Sequence, residues 1–218
     1  FGAVISVVGY LIGIFLRKKI SVLNPLLVSI IFVIAVIKIF HIDYETYNSG
    51  AKYISYLLTP ATVCLAIPLY RQISVLKEHA KEVFIGILAG VLASMGSILL
   101  MSYFFGLTHE QYVTLLPKSI TTAIGMGVSE ELGGIQTITV AVIIITGVLG
   151  NIIAEAVLKI FRIKEPVAKG LAIGTASHAI GTTKALEIGE IEGAMSSLSV
   201  AVAGLMTVIS ASIFANMM

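Results

Sequence analysis

From Val83 to Phe105 the chain runs 23 residues without one Asp, Glu, Lys, Arg or His. A soluble helix of that length is broken by polar residues at every turn or two, because one of its faces meets water. About 20 apolar residues wound as a helix instead cross the hydrocarbon of a bilayer. Hydrophobic residues make up 57% of the 218 and charged residues 12%, against roughly 25% charged in an ordinary soluble domain. The chain therefore reads as an all-α polytopic membrane protein, and residues 1–218 as a single transmembrane domain.

Two further uninterrupted spans are predicted at residues 135–154 and 194–214. Shorter apolar runs at 2–16 and 26–40 read as helices, the second opening at Asn24-Pro25, a favourable helix start. Residues 41–52 are polar and read as a loop outside the membrane. Residues 53–72 carry Pro60 and Pro68 in an apolar setting and read as a broken helix, since proline removes a backbone hydrogen bond. The net charge of +2 is mild and its cations sit in short clusters between apolar runs, which argues against a nucleic-acid partner. A lone cysteine, Cys64, and four scattered histidines offer no metal spacing. Neither a nucleophile motif nor a nucleotide fingerprint stands in the chain, so neither enzyme activity nor a cofactor is expected.

Two stretches differ from the rest. Residues 117–134 read PKSITTAIGMGVSEELGG and residues 170–193 read GLAIGTASHAIGTTKALEIGEIEG. Both are rich in Gly, Ser and Thr, both hold a lysine, and each precedes a long apolar run. They read as an internal repeat, with units at about 117–155 and 170–216. Basic loops stay on the cytoplasmic side, which places 17–19, 71–81 and 159–169 inside and 106–111 outside. The first repeat unit then starts outside and the second inside. That arrangement predicts a transporter-like bundle of inverted repeats with broken or re-entrant helices, the plan in which a binding site lies near the midplane.

Irregular backbone survives at membrane depth only where protein or a water-filled cavity satisfies it. Lys118, Ser119, Thr121 and Thr122 from the first segment, with Thr175, Ser177, His178 and Thr182 from the second, are therefore predicted to line one polar cavity. Lys118 and Lys184 supply positive charge, hydroxyls supply neutral donors, and helix N-termini facing such a cavity favour anions. A small carboxylate is the expected guest. Against this stand the structural roles of the same residues: hydroxyls that only cement helix packing and a lysine that reaches for the interface. Glu130, Glu131, Glu187, Glu190 and Glu192 are expected to be solvated acids at a membrane surface, and Asn151 and Glu155 polar partners of a neighbouring helix.

The strings PKSITT, GLAIGTASHAIGT and ALEIGEIEGA, with LLTPATVCLAIPLYRQ and NPLLVSI before them, resemble the LrgB/CidB family of antiholin-like and holin-like membrane proteins. The resemblance covers nearly the whole chain. It implies a bacterial or archaeal cytoplasmic membrane protein paired with a small LrgA/CidA-type membrane partner. It also implies one of two roles. Some relatives resemble carriers of small monocarboxylates such as glycolate, glycerate, pyruvate or lactate; others are associated with a pore or regulator controlling murein hydrolase activity and cell lysis. The carrier is the leading expectation and the pore or regulator the alternative, with a homo-oligomer such as a dimer as a further expectation. The family's signature positions fall on Pro117, Lys118, Ser119, Thr121 and Thr122, then on Gly174, Thr175, Ser177, His178, Gly181 and Thr182. Ala123, Gly125 and Glu155 depart from the family's usual residues.

Overall fold

The structure, a computed structural model, describes residues 1–20, 23, 25–57, 60, 64 and 66–218. It is 84% helical, with no strand among the described residues. The chain divides into two compact units, Phe1–Cys64 and Leu65–Met218.

In the first unit α1 (Gly2–Lys19) packs on α2 (Pro25–Ile39) and α3 (Tyr44–Ser55). Its glycines make the close contacts: a side chain at Gly13 would strike the Pro25 main chain, and one at Gly2 the Tyr47 carbonyl. Ser6 and Tyr47 join their hydroxyls at 2.8 Å. Residues 44–52, expected as loop, are helical. Asp43 supplies the missing start signal, since its carboxylate accepts from the Glu45 amide at 3.0 Å and satisfies a donor that the first turn leaves free. Asn24 and, within 53–72, residues 58, 59, 61–63 and 65 lie outside the described residues. Of the expected broken helix, residues 53–55 complete α3 and residues 66–71 form α4 (Ala66–Arg71), at the start of the second unit.

The second unit, which contains α4, continues with α5 (Ile73–Glu78), α6 (Ala80–Phe105), α7 (His109–Leu115), α8 (Thr122–Glu131), α9 (Gln136–Ile160), α10 (Pro166–Ile188) and α11 (Glu190–Ala215). Three helices here, α6, α9 and α11, are long and apolar enough to cross a membrane. Each runs up to six residues beyond the uncharged stretch read from sequence, because terminal Lys and Glu prolong the helix while keeping their charges at its ends. The buried stripe of α6 is Val83, Ile87, Val91, Met95 and Ile98, a helical period that faces Tyr112, Leu116 and Ile120 and the small residues Ala194, Ala203 and Ala211 of α11. Its outer face carries Phe84, Ile85, Leu92, Leu100 and Phe104 exposed, as a lipid-facing surface does. Gly106 ends α6 in the left-handed conformation at φ 62°, which glycine adopts without penalty.

Hydroxyls lock one end of this unit. Tyr103 donates to the Met217 carbonyl at 2.6 Å and Tyr112 to the Phe214 carbonyl at 2.9 Å, so the C-terminus of α11 sits beside the α6–α7 connection. Thr108 caps α7 in a reciprocal capping box with Gln111.

Both Gly/Ser/Thr-rich segments contain non-helical backbone. Residues 116–121 separate α7 from α8, and His178, at φ 44° and ψ −145°, breaks α10. Ile173 from the first half of α10 shares one apolar cluster with Ala185 and Ile188 from the second and with Ala154 and Leu158 of α9. Thr114 near the end of α7 lies close to Gly134, just past α8, and Thr139 of α9 bonds both the Thr114 carbonyl and the Ser129 hydroxyl of α8.

Candidate functional site

The first break puts Lys118 and Ser119 where no helix ladder uses their backbone. Lys118 Nζ donates to Ser119 Oγ at 2.9 Å and to Ser94 Oγ of α6 at 3.4 Å, and Ser94 donates to Ser119 at 3.0 Å. Among the described residues no carboxylate lies within ion-pair distance of Lys118. The ammonium is half-buried among hydroxyl oxygens alone, and a cation so placed lacks the opposite charge that ordinarily accompanies burial.

This cluster lines one end of a cavity of about 760 Å³ between α6 and the first half of α10. His79, Glu82 and Glu165 line its other end. The walls between are small: Gly86, Gly90 and Ala93 on α6 face Ala168, Ala172 and Thr175 on α10. The helices come close there because glycines allow it; a methyl group at Gly90 would strike Thr175, and one at Gly86 would lie 3.2 Å from Leu171 Cδ1. Just past the cluster a void of about 10 Å³ is bordered by Ser94, Ser119, Thr175 and Thr207, room for roughly one water molecule.

The eight residues named from sequence divide into groups. Lys118, Ser119 and Thr175 line the cavity together. Thr121 is the N-cap of α8, and Thr122 its first residue; both are half-buried beside the cavity residues in sequence but outside its wall. Ser177, His178 and Thr182 belong to the second break and point into helix packing. His178 Nε2 carries a proton to the Ile143 carbonyl at 2.9 Å, and the ring lies against Gly147, where a methyl group would come within 2.7 Å of Cε1. Ser177 is pressed on Gly150, whose added methyl would strike its Oγ. Thr182 bonds the His178 carbonyl at 3.0 Å and Ser196 of α11 at 2.8 Å.

Ser94, Ser97 and Thr207 join the site without having been named from sequence. A signal for the first two was present: Gly86, Gly90 and Ser94 recur every four residues, so that one face of α6 is small and ends in hydroxyls. Lys184, expected as a positive centre, is held by Glu155 at 2.6 Å and Glu187 at 3.2 Å, and Asn151 donates to the Ile180 carbonyl at 3.0 Å and to Thr183 at 2.9 Å. Glu192, expected in solvent, is buried and lies 3.6 Å from Lys169. Its position is dictated by Gly170 and Gly174, which let α10 and α11 touch main chain to main chain around it.

Apolar spanning helices, an apolar outer surface and polar residues gathered at two interior breaks define a polytopic helical membrane protein. Residues 6–217 match the LrgB-like family, and the chain belongs to it. Over 212 residues it is 39% identical to the antiholin-like protein LrgB of Bacillus mycoides (strain KBAB4), an alignment covering 96% of this chain and 92% of that one. Proteins of the same description from Bacillus cereus (strain B4264) and Bacillus anthracis (strain CDC 684 / NRRL 3495) match over the same span at the same identity. No solved structure matches the chain.

Proposed function

We propose that this protein acts as an antiholin-like regulator in the cytoplasmic membrane, restraining a small LrgA/CidA-type pore-forming partner and so murein hydrolase activity and lysis. Near full-length kinship with proteins described as antiholin-like carries this reading. Co-expression with such a partner in cells lacking their own pair tests it. Entry of a membrane-impermeant dye is expected to fall when the chain is present. Unchanged dye entry with the chain in the membrane overturns the reading.

A second reading, passage of small hydroxy- or keto-monocarboxylates, is favoured by one observation: the Lys118 ammonium lines the cavity with no carboxylate within ion-pair distance among the described residues. A carboxylate supplies the charge that burial calls for. In this reading the α7–α8 pair and α10 are re-entrant hairpins of two inverted repeats, α8 presents free N–H groups beside the lysine, and a dimer completes the transporter. Uptake of labelled glycolate, pyruvate or lactate into proteoliposomes decides it. Lys118→Met is expected to abolish uptake while the amount of folded protein stays at the wild-type level; uptake unaffected by the substitution removes the site.

A further inference from the structure

A second cavity, of about 550 Å³, lies at the end of the unit where α9 finishes and α10 begins and ends. Four cations line it, Lys159, Arg162, Lys164 and Lys169, against the carboxylates Glu155 and Glu187. Both carboxylates are already engaged by Lys184, which stands behind the wall, and Lys169 faces Glu192. Among the described residues, Arg162 and Lys164 have no carboxylate within ion-pair distance. The cavity thus keeps an excess of positive charge in a concave site whose remaining wall, Leu158, Ile163 and Ile188, is apolar.

Arg162 carries a further mark. It occupies the left-handed position after α9, at φ 55°, with its amide bonded to the Lys159 carbonyl and that of Ile163 to the Leu158 carbonyl at 2.9 Å. Glycine is the residue that fits such a helix end without strain, and a long cation there costs conformational energy that its side chain must offset elsewhere. The basic loop 159–169 marks this end as cytoplasmic, where anionic lipids collect and where basic pockets between helices hold phosphate headgroups. Beside it Ile160 and Phe161 are each 73% exposed, an apolar shoulder at the level of acyl chains.

We propose that this cleft binds the headgroup of an anionic phospholipid, with Arg162 and Lys164 on the phosphodiester and Ile160 and Phe161 along the acyl chain. The test is thermal unfolding of the full chain in a neutral detergent with added short-chain phosphatidylglycerol, phosphatidylcholine or inorganic phosphate. Phosphatidylglycerol alone is expected to raise the melting temperature of the wild type. Arg162→Gly combined with Lys164→Gln should weaken that response roughly tenfold or more in lipid concentration, with an unliganded melting temperature no lower than wild type because glycine relieves the backbone. Lys164→Gln alone should weaken it in the same direction. An equal response to phosphatidylcholine, an equal response to inorganic phosphate, or variants that respond like the wild type would each overturn the proposal.

Discussion

His178 combines two demands that conflict locally. Its backbone, at φ 44° and ψ −145°, lies where non-glycine residues cost on the order of 1–3 kcal/mol, yet its ring fastens the tip of α10 to α9 through the Ile143 carbonyl. Glycine at this position relieves the backbone and loses the ring, whereas alanine loses the ring and keeps the strain. His178→Gly is therefore expected to leave more folded protein than His178→Ala, by about 1–2 kcal/mol in chemical unfolding. Equal stability of the two variants would show that the backbone relaxes freely and that His178 is no fastening point. That a histidine stood in a Gly/Ser/Thr-rich segment was legible from sequence. That its imidazole meets a main-chain carbonyl was not, because the partner is 35 residues away in a run of Val and Ile that offers no side-chain polarity.

Between elements, hydroxyl groups do what charges do in soluble proteins. Thr139 of α9 is fully buried and lies 2.8 Å from the Thr114 carbonyl of α7 and 2.7 Å from Ser129 of α8, while the Thr114 hydroxyl accepts from the Ile135 amide at 2.8 Å. One side chain thus ties three helices. Thr139→Val, nearly the same in shape, strands a buried hydroxyl and a buried carbonyl and should destabilise by about 1–3 kcal/mol, read as a lower melting temperature. A melting temperature unchanged from wild type would mean that water replaces the lost hydroxyl. Sequence pattern located the breaks at 117–134 and 170–193, since small and polar residues cannot belong to a lipid-facing helix. It misread 44–52, because the single Asx cap at Asp43 that starts α3 looks the same as any polar loop residue until its amide partner is in view.

At a larger scale, α6 separates two ends of the second unit, with His79 and Glu82 at one and Gly106 at the other. Charge bias assigns the first to the cytoplasm. Single cysteines in a Cys64→Ser background check this: Glu110→Cys should react in intact cells with a membrane-impermeant maleimide, and Lys164→Cys only after permeabilisation. Reaction of both from the same side would break the assignment, and with it the cytoplasmic placement of the basic cleft.

Membrane residence, the three long helices, the two interrupted segments and the family could all be read along the chain, for each rests on local composition, and a bilayer judges composition over about 20 residues at a time. Which polar groups share a site was decided by the tertiary structure. Lys118, Ser119 and Thr175 come together with Ser94 because Gly86 and Gly90 let α6 approach α10, while Ser177 and His178 are taken up by the glycines of α9. Lys184 is claimed by Glu155, while among the described residues no carboxylate pairs with Lys118. Lys118 precedes a serine and Lys184 follows a threonine in sequence; only a carboxylate from another helix within about 4 Å tells them apart.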